Sequence, residues 1–362
     1  MKRRTKKQLS AKNPTPMTRR KLLKISLSAT ALTFAPAVIR RARAASDVIV
    51  ASWGGAYTQA QRTAFFDSFE KDTGSKVVIA DFDLSKLQLM VESKNVEWDL
   101  ITGIQAEQAY AANKNNLIVP INYGTIDKSM LVPGTAGDYF VAAEWYSALI
   151  SWNNSAIKSG TPAGWADFWD TTKFPGPRAL GKEAVITLGA ALLADGADPK
   201  KLFPIDYDRA FKSLDKIKKD VSVWYTANGQ PPQLLVDGQV VMSSAYNGRI
   251  QSEIDKGAPL GYSWDQNIAN RGGYTVPRGA KNEAGAMQLI AYCLDAKRQA
   301  EFAKLIPYGV TNKQAFDYLD PKRRAVLPTA PENIDKAILI DPVWVGDNLN
   351  DMTSRLDKYV LG

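Results

Sequence analysis

With 362 residues, 45% of them hydrophobic and 23% charged, the chain has an ordinary globular composition and the length of two domains. It has no histidine and a single cysteine. That excludes Ser-His-Asp and Cys-His catalysis, His-ligated zinc, a four-Cys metal site and an intramolecular disulfide.

The formal charge of +9 is set by the N-terminus. Of the 46 Lys and Arg, 13 fall in residues 1–45, which hold no acid, leaving 33 bases against 37 acids and a net of −4 from residue 46 onward. Once that segment is removed, the case for nucleic acid or an anionic membrane as partner disappears. The segment itself reads as a targeting signal. The basic run 18-TRRKLLK-24 precedes a moderately apolar core, 25-ISLSATALTFAPAVI-39, and a small-x-small cleavage site, 42-ARA-44. The paired Arg19 and Arg20 resemble the twin-arginine export motif, with Leu22 where Phe is commoner. The expectation is a signal over 1–45, cleaved after Ala44 or Ala45, and delivery to a periplasm. Met17, directly before the motif, is an alternative start.

From residue 46 the pattern alternates between strand and helix. A strand at 47–52 leads through Trp53, Gly54 and Gly55 into an amphipathic helix, 57-YTQAQRTAFFDSFEKDTG-74, which Gly74 stops. A strand at 76–80, a helix at 84–93, a strand at 97–103 and a helix at 105–113 follow. This βαβαβ rhythm predicts an open, mostly parallel sheet with helices on both faces. The segment 139-YFVAAEWYSALISWNNS-155 reads as an extended crossing strand. A second α/β unit has strands at 178–180, 221–225 and 239–246, and helices at 183–195, 207–219, 230–237 and 248–256. A second crossing strand and a buried helix occupy 272–295, and the C-terminal part is helical and Pro-punctuated.

The strand–glycine–helix junction 48-VIVASWGGAYTQAQ-61 invites a nucleotide reading, and the residues refuse it. The Gly54-Gly55 turn lacks the third glycine of a dinucleotide fingerprint, no acid stands at a strand end about 20 residues on, and no P-loop occurs. Other conspicuous residues read as structure. Trp165 and Trp169 lie four apart on one helical face, Trp98 precedes Asp99 in a strand, and Cys293 sits in the apolar helix 286-AMQLIAYCL-294.

An ordered set of segments carries a resemblance across 46–362. These are Trp53 and the helix ending 67-DSFEKDTGSKV-77, then 98-WDLITG-103, 151-SWNNSAI-157, 164-GWADFWDTTKFPG-176, 234-LLVDGQVVMSSAYNGR-249, 276-VPRGAKNEAGAMQLI-290, 308-YGVTNKQAF-316 and 326-VLPTAPEN-333. Together they resemble the periplasmic solute-binding proteins of ABC importers, in the class that includes spermidine/putrescine-binding proteins.

The resemblance implies a two-lobed α/β fold of the type II periplasmic-binding-protein kind. Lobe 1 would span 46–148 and 273–316, and lobe 2 would span 149–272 and 317–362, closing on a ligand like jaws. It implies ligand contacts from Trp53, Gly54, Gly55, Tyr57, Gly103 and Gln105, with Trp145 and Tyr146 from the crossing segment. Glu183, Tyr246, Arg271, Tyr274 and Tyr308 complete the expected set. It implies a membrane permease and the twin-arginine machinery as partners, a monomer, and neither cofactor nor metal. Of the acids that hold polyamines in the family, only Glu183 is retained; the others are Gly55, Ile186 and Gly272. A polyamine would lack counter-charges, while Arg271 would suit a ligand carboxylate. The expected solute is therefore amine-containing or zwitterionic: polyamine-like, amino-acid-derived or opine-like. A binding protein feeding a chemosensory receptor is one alternative. An exported hydrolase using a pair such as Asp99 and Glu183 is another.

Overall fold

A computed structural model describes residues 47–362; the export signal expected over 1–45, with Arg19, Arg20 and the cleavage site, lies outside the described residues. The β-branched run β1 (Val48–Ser52) pairs in parallel with β2 (Val77–Asp81) and β3 (Leu100–Gln105). Between β1 and β2 one long helix runs through α1 (Gly55–Gln61), a π-helical turn at 62–66 and α2 (Asp67–Thr73). The wide turn brings the consecutive residues Ala64, Phe65 and Phe66 into the core. Gly74 ends the helix as expected: at φ 76 its N–H donates to the Glu70 carbonyl at 2.9 Å. Helix α3 (Leu84–Glu92) starts at Asp83, whose carboxylate accepts from the Ser85 N–H at 2.8 Å. Helix α4 (Ala106–Lys114) and the short β4 (Ile118–Val119) follow β3.

The crossing segment is β5 (Val141–Asn153), thirteen residues long. Then come α5 (Trp165–Trp169), β6 (Arg178–Gly181), α6 (Ala184–Ala194), α7 (Tyr207–Ile217), β7 (Val221–Tyr225), α8 (Gln230–Val236), β8 (Met242–Tyr246) and α9 (Asn247–Asp255). After β9 (Leu260–Tyr262) the chain crosses again as β10 (Ile268–Pro277) and continues through α10 (Glu283–Cys293) and α11 (Ala296–Leu305). Helices α12 (Pro321–Ala325) and α13 (Pro331–Ile334), strand β11 (Ile338–Leu339) and helix α14 (Pro342–Leu361) complete it.

Among the described residues the main strand order is β2-β1-β3-β10-β5-β8-β6-β7. The outer strands are parallel to their neighbours, and the two crossing strands join them antiparallel. Almost every residue of β5 and β10 is buried, so both faces of these strands are covered.

Hydrophobic cores form on either side of the crossing. One gathers Val48, Val50, Phe65, Phe66 and Phe69 with Leu289, Ile290 and Cys293 of α10. The other gathers Trp165, Phe168, the apolar face of α6 and Met352 and Leu356 of α14. The tryptophan pair belongs to this second core: the Trp165 Nε1–H donates to the Gln266 carbonyl at 3.0 Å, and that of Trp169 to the Ser213 carbonyl at 3.0 Å. Wholly buried Arg178 ties the loop before β6, donating to the carbonyls of Phe168, Asp170, Phe174 and Gly176. Cys293 is wholly buried beside Tyr274, and burial pushes its thiol up to about 12.

Candidate functional site

Strand ends facing the crossing strands enclose a cavity of about 320 Å³, at the small end of small-molecule pockets. It is lined by Trp53, Tyr57, Gly103, Gln105, Glu144 and Tyr146, by Tyr246 and Arg249 from the β8–α9 junction, and by Asn228 and Tyr308, the last packed with Tyr57 against the first core.

The turn after β1 explains the first wall. Gly54 and Gly55 have φ of +76° and +58°, and a Cβ on either meets nothing within 4 Å, so their requirement is conformational. They project Trp53 outward, 54% exposed, with its Nε1–H donating to the Gly103 carbonyl at 2.9 Å and its ring edge-on to Phe82. Gly103 has φ +76°, and a Cβ there would stand 2.8 Å from the Trp53 ring and 3.0 Å from Tyr57. Gly103→Ala is therefore expected to cost about 1–3 kcal/mol of stability from the backbone alone and to displace Trp53. Urea unfolding and Trp fluorescence would check this; an unchanged midpoint and spectrum would contradict it.

Below Trp53 runs a chain of buried polar groups. The Tyr57 hydroxyl lies 2.9 and 3.0 Å from the two oxygens of Glu144 and accepts from the Gln61 amide at 3.1 Å. Gln61 also donates to the Thr102 hydroxyl at 2.6 Å. Burial pushes the Glu144 carboxyl up to about 8, against the lowering effect of the Tyr57 hydrogen bond. Tyr146 forms the floor: its hydroxyl accepts from the Gln105 amide at 3.1 Å, and its ring is edge-on to Tyr246 and tilted against Tyr308.

The opposite wall grows from the β8–α9 junction. Tyr246 caps α9 and donates from its hydroxyl to Glu183 at 2.6 Å, and the Asn228 side chain lies near the same carboxyl. Burial pushes Glu183 up to about 7, with those two side chains opposing. Arg249 stands in the first turn of α9, exposed, with no hydrogen-bond or ion-pair partner among the described residues. Tyr308 is placed by the neighbouring Gly309, which exchanges backbone hydrogen bonds with Trp145 at 2.7 and 3.0 Å.

Of the residues expected at the site, Trp53, Tyr57, Gly103, Gln105, Tyr146, Tyr246 and Tyr308 converge on this cavity. Gly54 and Gly55 shape the turn beside it, and Glu183 stands behind Tyr246 and Asn228. None of these last three lines the cavity itself, and three more expected residues, Trp145, Arg271 and Tyr274, lie away from it altogether. Trp145 alternates with Glu144 and Tyr146 along β5, so its ring faces the other way, into a cluster with Val132, Ala142 and Ala269. Arg271 is the direct cross-strand partner of Trp145 and shares that far face. Its guanidinium lies over the Trp145 ring and donates to the Gly134 carbonyl at 2.5 Å. Tyr274 is wholly buried in the core beside Cys293.

Glu144, Asn228 and Arg249 were not among the expected residues. Glu144 carried a signal, two positions before Tyr146 on the same strand face; Asn228, in a loop, carried none. Asp99, named for a hydrolase pair, accepts from the N–H groups of Ile49 and Asn282 at 2.9 and 2.7 Å and lies outside the cavity.

A family described as "Bacterial extracellular solute-binding protein" matches residues 64–329. The γ-aminobutyric acid-binding protein of Pseudomonas aeruginosa is 33% identical over 342 residues, 92% of this chain and 95% of that protein. The spermidine/putrescine-binding periplasmic protein of Salmonella typhimurium is 24% identical over 278 residues, 74% of this chain and 79% of that protein. Among solved structures, the Atu4243 GABA receptor superposes with a TM-score of 0.81 at 34% identity, covering 87% of this chain and 97% of that one. The two-lobed fold and the solute-binding role implied by the ordered motifs thus stand, and the chain belongs to the bacterial extracellular solute-binding proteins that serve ABC importers.

Proposed function

We propose that this protein captures a small linear amino acid of the γ-aminobutyrate type and delivers it to a membrane permease. The observation that carries the reading is the charge layout of the cavity. The Arg249 guanidinium, with no hydrogen-bond or ion-pair partner among the described residues, stands at the α9 wall, Glu183 lies behind Tyr246 on that same wall, and the Glu144 carboxyl lines the cavity from β5, among five aromatic rings. A guanidinium pairs bidentately with a carboxylate, a carboxyl group pairs with an ammonium, and aromatic faces hold methylenes and cations. A zwitterion with a short aliphatic spacer uses all three. A triply charged polyamine would set an ammonium against Arg249. The relatives that bind γ-aminobutyrate support the same reading.

In this reading the N-terminal segment with Arg19 and Arg20 directs twin-arginine export, and the mature chain from Ser46 acts as a periplasmic monomer that releases its ligand unchanged. The test is a thermal-shift and calorimetric panel on the mature chain, stripped of carried-over ligand by unfolding and refolding. A ligand at 100 times its dissociation constant stabilises by about 2.7 kcal/mol. Stabilisation by γ-aminobutyrate and its near-length homologues is expected. A response confined to putrescine and spermidine would overturn the reading.

A further inference from the structure

Strands β5 and β10 pair with Glu144 directly opposite Gly272. A Cβ built on Gly272 would stand 2.1 Å from Glu144 Oε1, so the carboxyl group occupies the volume that a side chain at 272 would take. The carboxyl is 3% exposed and lines the cavity. Among the described residues its hydrogen-bond partner is a single hydroxyl, that of Tyr57, set against both oxygens at 2.9 and 3.0 Å. A buried carboxyl group with four lone-pair sites and one donor has acceptor capacity left over. The other buried acids nearby do not line the cavity. Glu183 accepts from the Tyr246 hydroxyl behind it, and Glu107 takes both contacts of the Asn270 amide with the Arg271 charge near it.

We infer that Glu144 is the group that selects a protonated amine in this cavity, and that Gly272 must lack a side chain for it to do so. This rests on the amino-acid reading above for the nature of the ligand, and it places the ammonium end at β5 and the carboxylate end at α9. The groups facing Glu144 are the phenols of Tyr57 on α1, Tyr146 on β5, Tyr274 on β10 and Tyr308 in the segment after α11, with Arg249 across the cavity. The phenols all have their ionisation pushed upward by burial, so they remain neutral donors near neutral pH. An arriving ammonium then ionises Glu144, and one proton leaves to solvent as the ion pair forms.

The experiment is calorimetry of the wild type, Glu144→Gln, Glu183→Gln, Gly272→Ala and the double variant E144Q/G272A. The probes are γ-aminobutyrate, its N-acetyl derivative, butyrate and putrescine, run at about pH 7 in two buffers of different ionisation enthalpy to count protons. Wild type is expected to release close to one proton per amine bound. Glu144→Gln is expected to lose about 30-fold or more in affinity for amines, to release none, and to keep whatever affinity the wild type has for the two amine-free probes. Gly272→Ala is expected to lose amine affinity by displacing Glu144, and the double variant to be no worse than Glu144→Gln, because both changes remove the same contact. Equal amine affinity and equal proton release in Glu144→Gln overturns the inference while leaving the amino-acid reading intact. So does a proton count lost in Glu183→Gln alone. Putrescine binding in place of γ-aminobutyrate, weakened by Glu144→Gln, sinks the amino-acid reading and sustains the inference. No binding by any amine overturns both.

Discussion

Replacing Arg249 with Ala lowers the affinity for γ-aminobutyrate by about 100-fold, with little change in the unfolding midpoint. The guanidinium is exposed and makes no hydrogen bond or ion pair among the described residues, so the fold has no stake in it. Surface substitutions of this kind stay within about 0.5 kcal/mol. The ligand complex is different. Lobe closure over a carboxylate removes water from the pair, and deleting one partner of an enclosed, hydrogen-bonded ion pair costs about 2–5 kcal/mol. Arg249→Lys keeps the charge without the planar fork and should fall between the two. Titration calorimetry beside a denaturation curve separates the effects. An Arg249→Ala protein that binds within threefold of wild type would remove this residue, and the proposed ligand orientation, from consideration.

Affinity for an amine ligand rises with pH, by close to tenfold per unit in the range below about pH 7. The sign follows from Glu144. Its carboxyl is raised from 4.5 to about 8 in the empty protein, so between those values the folded state holds a proton that the unfolded chain has lost. Bound ammonium favours the carboxylate, so binding expels that proton and strengthens as pH climbs. The empty protein behaves in the opposite sense. The raised carboxyl stabilises the fold most at the acid end of this window, and that contribution is lost as pH rises through about 8, with Glu183 acting likewise up to about 7. The chain has no histidine, so no imidazole titrates across the window and obscures the effect. The carboxylates with lowered ionisation, such as Glu70 and Asp195, act below it. Unfolding midpoints from about pH 5 to 8, with Glu144→Gln alongside, test this. Glu144→Gln should keep only the part of the slope that Glu183 supplies below about pH 7, and a wild-type slope that survives undiminished would assign the proton elsewhere.

The parts of the fold that could be read from the residues are those in which one face differs from the other. The amphipathic helix ending at Gly74, the strand–helix rhythm to residue 113 and the paired tryptophans of α5 all have a wet side and a dry side, and their positions agree with the structure to within a few residues. The aromatic residues at strand ends, Trp53, Tyr246 and Tyr308, were legible for a related reason: large rings beside glycines and helix starts have few structural uses. The crossing strands removed that contrast. With both faces of β5 covered, Trp145 and Tyr146 look equally suited to a cavity, although alternation allows only one of them to face it. Arg271 stood out as a charge near the cleft, but register assigns it to the far side, over Trp145. Register also hid the Glu144–Gly272 pair: the missing acid at 272 was visible, and the pairing that sets Glu144 opposite it was not.

The lone thiol gives this protein a built-in clock. Cys293 lies at the end of α10, wholly buried, with its ionisation pushed up to about 12. A water-borne alkylating reagent reaches it only when the surrounding core opens, so the labelling rate counts excursions out of the native state. With no second cysteine in the chain, every adduct reports the same event. Any solute that holds the lobes together slows that clock, and mass spectrometry of a mixed extract would then find the cognate molecule by how long the thiol stays unmodified.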